Sequence, residues 1–435
     1  MIDPHEAWRL LEPHLAPTPS LETPRPQALG RVLARSLSAT VDVPAADVSA
    51  MDGYALAPPE PGESESPIPL RPLVGESLAG SPPSFSVPPG AAARIMTGAI
   101  VPEGTDRVLP VERTRPHDGR PHDEEADPSS PLGATPGAWG EYAQERVELA
   151  VMPPAGANIR RQGEVLRRGA PLLEAGHGLS PGALALLAAH GYSQVPIHRP
   201  PSIRLLVTGD EVIPPEETPA GGQLRDTHSD FLLAAARTLG LEIEPLGIVG
   251  DDEAALDQAV ARGLEADLFL LTGGVSAGQR DLVPAALQRH GVRTLFHKVA
   301  IQPAKPLFAG LREGPPRALV FGLPGNPASA IVAFWLYLRP VLRRLLGAED
   351  SYLQGLRHGV LESPLPGAKG RDRFLPARVH TVDGQTLCTP VAPAGSHDIA
   401  AYAQGSALVR IPAHAAPRDA GEACEILSLA DEREG

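Results

Sequence analysis

Residues 268–281 read L-F-L-L-T-G-G-V-S-A-G-Q-R-D. An apolar run of strand length stops abruptly at Thr272-Gly273-Gly274. Small residues follow, and then Asp281 opens the helix-like stretch D-L-V-P-A-A-L-Q-R-H-G. A buried strand that empties into a glycine-rich turn before a helix is how α/β proteins bring backbone N–H groups close to a phosphate.

The same alternation extends on both sides. In L-S-P-G-A-L-A-L-L-A-A-H-G, Ser180 is placed as an N-cap, Pro181 at the first helical position and Gly191 just past the end. Strands are expected at 203–207, 241–249, 268–271, 294–301 and 318–321. Helices are expected at 227–239, 253–263, 282–290 and 328–346. This order argues for a mostly parallel, doubly wound sheet. Before it, helical spacing fits 3–14 and a second short helix 27–36. Residues 41–151 carry short strands broken by Pro and Gly, and 163–173 is turn-like. Beyond Gly347, R-F-L-P-A-R-V-H-T-V-D-G-Q-T-L-C-T-P-V and A-L-V-R-I-P fit antiparallel strands, with a hairpin turn at Asp383-Gly384. The fold class is therefore multidomain α/β.

Composition limits the function. A chain of 435 residues exceeds one ordinary core. A net charge of −14 with no Lys/Arg run argues against nucleic acid as a partner. An anionic ligand must then find its positive potential locally. Cys388 and Cys424 lack metal-motif spacing, and a reduced, cytoplasmic compartment is the natural reading. The N-terminus has no signal-peptide pattern, and the longest apolar stretch is too short to span a membrane. The segment 113–136, with His117 and His122 among acids, reads as a loose solvated insertion rather than a metal site.

Ligands of open parallel sheets bind beyond the carboxyl ends of the strands. Four polar, glycine-bearing segments fall there: V-T-G-D-E at 207–211, Gly250-Asp251-Asp252, T-G-G-V-S-A-G at 272–278 and G-L-P-G-N-P at 322–327. Gly273, Gly274, Ser276 and Gly278 offer amides and a hydroxyl to a phosphate. Pro324, Gly325 and Asn326 do so again at a helix start, where an anion gains about 0.3–1 kcal/mol per charge. Asp210, Glu211, Asp251 and Asp281 are hard oxygen ligands suited to Mg²⁺. Lys298 and Lys305 add positive charge. Each feature has a plain alternative. Gly273-Gly274 also suits a tight turn, Asp281 an N-cap, Pro324-Gly325 a turn and Asp252 a cap. The P-loop and dinucleotide glycine patterns are absent, which disfavours NTPases and dehydrogenases.

Taken together, T-G-D-E, T-G-G-V-S-A-G-Q-R-D and G-L-P-G-N-P-A-S-A resemble the molybdopterin-binding domain family. Two upstream motifs, S-A-M-D-G-Y-A-L at 49–56 and R-I-M-T-G-A at 94–99, are similar to signatures of the MoeA family, the molybdopterin molybdenumtransferases, and of the matching domain of gephyrin. Order, spacing and length agree across nearly the whole chain.

The resemblance implies a division into an N-terminal helix packed on the central domain (1–26), a linking domain (27–45 and 150–176), a β-rich second domain (46–149), a MogA-like α/β domain (177–347) and a C-terminal barrel-like β domain (348–435). It implies a transferase that takes adenylylated molybdopterin and molybdate, cleaves the adenylate linkage with Mg²⁺, and releases AMP and molybdenum cofactor. It also implies a homodimer, with contacts to the adenylyltransferase and to molybdoenzyme apoproteins. By the same resemblance Asp52, Thr97, Glu211, Asp281 and Lys298 are catalytic, and Glu211, Asp251 and Asp281 hold the metal. Lys305, Arg378 and Ser396 join the glycine loops in binding the substrate. Asp52 serves the partner subunit's cleft. Met51 and Tyr54 read as packing residues.

Three positions depart from the family pattern. Gln302 stands where a Lys is common, Val165 where an Asp is expected beside Glu164, and Pro376 where an Arg is expected, with Arg373 and Arg378 flanking it. A non-catalytic pterin carrier or scaffold is the reading that these departures favour. A molybdopterin adenylyltransferase is disfavoured by the motif at 49–56 and by the C-terminal domain.

Overall fold

The structure, a computed structural model, describes residues 1–59, 68, 70–117, 146–274 and 282–429. The chain forms two compact units: one of Met1–Arg35 with Glu174–Gly435, the other Ser36–Leu173.

The first unit is built on six strands: β1 (Ile203–Thr208), β2 (Glu244–Val249), β3 (Leu268–Thr272), β4 (Val292–His297), β5 (Phe308–Arg312) and β6 (Ala318–Leu323). Their spatial order is β2-β1-β3-β6-β5-β4. The pairs β2/β1, β1/β3 and β3/β6 are parallel, whereas β6/β5 and β5/β4 are antiparallel. Alternation along each strand divides two cores. Leu205, Leu270 and Phe321 face the N-terminal helix Pro4–Leu11, helix α1 (His228–Thr238) and a long helix beginning at Pro327. Leu206, Phe269, Leu271 and Val320 face helices α2 (Glu253–Gly263) and α3 (Leu282–Arg289). Helices on both faces explain why β3 is buried along its whole length, as its unbroken apolar sequence requires.

The long helix differs from its expected form. It runs as α-helix over Pro327–Ala333, as a π turn over Phe334–Leu338 and again as α-helix over Arg339–Leu345. Pro340 has no N–H to give and its ring crowds the preceding turn, so the wider π turn lets the helix continue through it. Two other expectations are corrected. Residues 27–36 form no α-helix: a 3-10 turn covers Arg25–Ala28, and Gly30 takes φ +72°. The backbone there turns to the segment at 177–179 instead, with Gly30 N–H donating to Leu179 and Leu33 N–H to His177. The expected strand at 294–301 ends at His297, since Lys298 has φ +69°. Strand β5 is an addition. Gly310 within it weakens the strand signal, yet the position requires glycine, because a Cβ would lie 2.7 Å from Val292 Cγ1.

The C-terminal strands close into a five-stranded barrel. Asp372–Val382 pairs with Gln385–Pro390 and with Ala407–Ile411, and Leu356–Leu361 and Ala423–Ser428 complete the circuit. Asp383 (φ +50°) and Gly384 (φ +78°) make the expected hairpin turn. Cys388 and Cys424 are buried inside the barrel with Leu375, Val409 and Ile426. The strand Ile301–Gln302 pairs with the barrel at Asp372 and Arg373.

The second unit holds a six-stranded sheet in the order Arg107–Pro110, Gly53–Leu56, Ala92–Ile95, Arg71–Ser77, Arg146–Leu149, Thr114–His117. The expected insertion thus begins with an ordinary strand at Thr114–His117; its remainder, His122 included, lies outside the described residues. Tyr54 is buried in this unit's core, but Met51 is 40% exposed and is not a packing residue.

A candidate active site on the carboxyl edge of the central sheet

Strand order decides what meets at the carboxyl edge. Strands β2, β1, β3 and β6 run parallel, so residues following each of them emerge together. Strand β4 runs the same way through antiparallel β5, so Lys298 after β4 and Lys305 before β5 share that edge. Read across the sheet, the edge carries Asp251, then Asp210 and Glu211, then Gly273-Gly274, then Pro324-Gly325-Asn326, then Lys305 and Lys298. Acids stand at one end, bases at the other, and glycines lie between.

The acidic end is preorganised. Gly209 has φ +138°, and a Cβ there would lie 2.8 Å from Glu211 Oε2. The Asp251 N–H donates to Asp210 Oδ1 at 2.8 Å, and a Cβ on Gly250 would lie 2.4 Å from that oxygen. Asp210 thus orders the loop that presents Asp251, while Asp252 caps α2 by accepting from the Ala255 N–H at 2.7 Å. Asp210, Glu211 and Asp251 are exposed and form no ion pair among the described residues. Those residues contain no cluster of three potential metal ligands; the expected third acid, Asp281, lies outside them, as do Ser276 and Gly278.

The glycines in the centre are required sterically. Gly273 has φ +80°, and a Cβ on it would lie 2.3 Å from the Thr208 carbonyl oxygen. Its N–H donates to the Leu323 carbonyl at 3.3 Å, and a Cβ on Gly325 would lie 3.7 Å from Gly273 Cα. The two glycine loops therefore touch. The helix that follows is less available to an anion than its sequence suggests. Pro327 has no N–H, the Ala328 N–H donates to the Ser396 carbonyl, and those of Ser329 and Ala330 donate to Asn326. Gly325 and Asn326 are exposed, and among the described residues their own N–H groups have no acceptor.

The basic end opens into a cavity of about 290 Å³ shared with the barrel. It is lined by Gln302, Lys305, Asn326, Ser329, Arg371, Arg373, Ser396 and Tyr402, among others. Three cations and several hydroxyl and amide groups suit an oxyanion. Lys305, Asn326 and Ser396 stand there as expected. Arg378 does not line the cavity; it is exposed and donates to Gln404 Oε1 at 3.0 Å. Arg371 and Arg373 fill the place given to it. Gln302 Oε1 accepts weakly from Arg371 at 3.4 Å. Lys298 does not line the cavity either.

Sequence reading missed Asp226 and His228. Asp226 is buried and accepts from the N–H groups of His228 (2.9 Å) and Ser229 (3.1 Å), which starts α1. His228 is buried beneath the fourth loop. Burial lowers its pKa, opposed by Asp226 and by the Pro324 carbonyl beside the ring. The available signal was an acid two residues before a helix start in R-D-T-H-S-D.

Asp52 and Thr97 lie in the second unit and meet there. Gly53 pairs with Ile95 across the sheet, so the residues just beyond this pair face each other. Asp52 Oδ1 accepts from the Thr97 N–H at 2.7 Å and from its hydroxyl at 2.9 Å. Gly53 is obligatory because a Cβ would lie 2.0 Å from the Leu109 carbonyl oxygen. Of the departures, Val165 is 72% exposed, Glu164 Oε2 accepts from the Arg161 N–H at 2.8 Å, and Pro376 is buried in the barrel.

Fold and edge together define a multidomain α/β protein whose candidate site lies at the carboxyl ends of the parallel strands. Its family follows from comparison with known proteins. The sequence profile of the MoeA N-terminal region (domain I and II) matches residues 2–191, that of a probable molybdopterin binding domain residues 204–344, and that of the MoeA C-terminal region (domain IV) residues 358–429. A relative from Synechococcus elongatus named molybdopterin molybdenumtransferase is 38% identical over 72% of each chain. One of the same name from Bacillus subtilis is 30% identical over 93% of this chain and 89% of its own. The crystal structure of a molybdopterin biosynthesis MoeA protein from Pyrococcus horikoshii superposes with a TM-score of 0.78 at 26% identity, covering 99% of both chains. The chain belongs to the MoeA family of molybdopterin molybdenumtransferases, and it is a transferase by that membership. Among the described residues, no helix is long and apolar enough to cross a membrane.

Proposed function

We propose that this protein inserts molybdenum from molybdate into adenylylated molybdopterin, cleaving the adenylate linkage and releasing AMP and molybdenum cofactor. The observation that carries this reading is the graded edge: acids, paired glycine loops and a basic cavity in one line. From β2 to β5 the edge spans four interstrand steps, about 19 Å. That length suits a nucleotide joined to a pterin through two phosphates. The exposed Gly325 and Asn326 amides take phosphate oxygens. Lys305, Arg371 and Arg373 draw molybdate into the cavity beside them.

The donor chemistry of the acidic end fits Mg²⁺. Glu211 and Asp251 are exposed hard oxygen ligands without a cation among the described residues, and Mg²⁺ typically takes one or two carboxylates with phosphate oxygens and water. Glu211 and Asp251, with Asp281 from the sequence, would hold it. Bound there, it would neutralise charge developing on the phosphate oxygens. Asp210 fixes the loop beneath Asp251. We further propose a cytoplasmic homodimer in which the Asp52–Thr97 pair serves the partner's cleft.

The test is incubation with adenylylated molybdopterin, Mg²⁺ and molybdate. AMP release that depends on molybdate supports the reading. A carrier is the second reading, favoured by the Gln302–Arg371 contact, which draws on one of the cavity's cations. Tight substrate binding without release would establish it instead.

A further inference from the structure

Lys305, Arg371 and Arg373 are the cations of the cavity at the basic end. Asp372 stands between the two arginines and faces away from them. Arg371, Arg373 and Leu375 line the cavity, whereas Phe374 packs into the main core and the Asp372 carboxylate turns to Arg410. This is strand alternation, so whatever fixes the Asp372 side chain also fixes the face that its two neighbours take.

The carboxylate is held on both oxygens. Asp372 Oδ2 accepts from Arg410 Nε at 2.9 Å and from Nη2 at 2.7 Å, and Oδ1 accepts from the Ala413 N–H at 2.8 Å. Arg410 is held in turn, since its Nη1 donates to Glu425 at 3.1 Å. Asp372 also ties the barrel to the loop that carries Lys305. Its N–H donates to the Ala300 carbonyl at 3.1 Å, and Ile301 and Gln302 run parallel beside Asp372 and Arg373. Within that loop the Val299 N–H donates to the Lys305 carbonyl at 3.0 Å. The side chains of Asp372 and Arg410 are only 9% and 16% exposed. A buried ion pair is a poor source of stability, and a carboxylate behind an anion site opposes anion binding by its charge. What it contributes there is geometry. We propose that Asp372 is a positioning residue that sets Arg371 and Arg373 of the barrel against Lys305 of the loop, so that the three cations converge on one tetrahedral oxyanion. The inference rests on the oxyanion role proposed for the cavity.

The test compares wild type with Asp372→Asn, which keeps the shape and removes the charge. The double variant Asp372→Asn/Arg410→Met accompanies it and removes the whole ion pair. Molybdate is the probe, titrated calorimetrically at a temperature where circular dichroism shows each protein folded. The sign of the change separates the possible roles. Charge alone predicts tighter binding by Asp372→Asn, and a purely structural contact predicts unchanged binding in the folded protein. The positioning role predicts roughly ten-fold weaker binding in both variants, because small displacements of aligned groups are costly. Unchanged or tighter binding by folded Asp372→Asn overturns the proposal. So does wild-type affinity in the double variant, which would trace any defect to an unpaired Arg410. If Asp372→Asn does not fold, the double variant decides by the same criterion. If neither folds, the pair is a folding contact only and the proposal falls, as it does if wild type binds no molybdate. Weakened binding in the variants, with no AMP released by wild type from adenylylated molybdopterin, would defeat the transfer reading and leave this inference standing.

Discussion

Gly273 shows how much one residue fixes at this edge. Its φ of +80° and the 2.3 Å approach of the Thr208 carbonyl oxygen exclude any side chain. Gly273→Ala should cost about 1–3 kcal/mol of stability through strain and displacement. It should also weaken AMP binding, because Gly325 packs on Gly273; equilibrium denaturation and calorimetry check both. The Asp52–Thr97 pair behaves differently. Both residues are exposed, and their hydrogen bonds are local. Asp52→Ala should leave the melting temperature within a few degrees of wild type while turnover falls by about 100-fold or more. Wild-type turnover in that variant would remove Asp52 from the reaction. The position of the glycines and short acids at the strand ends was legible because the apolar runs stop at them, although each also suits a turn or a cap. His228 and Arg371 were not, since nothing in the local sequence tells which buried ring or which of several arginines faces a loop distant in the chain.

Elements were legible where one physical signal dominated. Strand β3 and helix α2 match their expected spans closely because apolar periodicity and the Asp252 cap agree. Strand β5 was lost to Gly310, and the π turn was missed because apolar periodicity reads 328–346 as one continuous α-helix through Pro340. The start of β3 also carries the clearest pH-dependent contact. Burial raises the Asp267 carboxyl's pKa, but the Arg199 guanidinium and the Ser202 hydroxyl and N–H outweigh this and hold it at about 2. A carboxylate depressed in the folded state stabilises above its unfolded pKa, near 4, and loses that contribution as pH falls toward 2. The full shift would be worth roughly 2.4 kcal/mol, and partial exposure reduces it to about 1–2 kcal/mol. Asp267→Asn should be less stable by about that amount at pH 7 and should show a flatter decline in stability below pH 4. Equal acid sensitivity in the two proteins would show that the contact contributes nothing.

For the whole molecule, the α/β class and the β character of the C-terminal region were readable from alternation and turn residues, whereas barrel closure was implied only by the family resemblance. It depends on Asp372–Val382 pairing with two strands at once, and no local pattern encodes that. The proposed dimer has a consequence that a monomeric site lacks. If Asp52 acts on the partner's cleft, Asp52→Ala and Lys305→Ala place both defects in the same site of a mixed dimer and leave the other site intact. Co-expression of the two inactive variants should then restore roughly a quarter of wild-type activity, since half of the randomly formed dimers are mixed and each has one working site. No recovery would place both residues in one subunit's site.

The central claim is transfer of molybdenum coupled to loss of the adenylate. Its most direct measurement is the ratio of AMP released to molybdenum delivered when purified protein turns over adenylylated molybdopterin with Mg²⁺ and increasing molybdate. The account predicts one AMP per molybdenum, with neither product formed when molybdate is omitted. AMP release that ignores molybdate, or tight binding with no release at all, would contradict it.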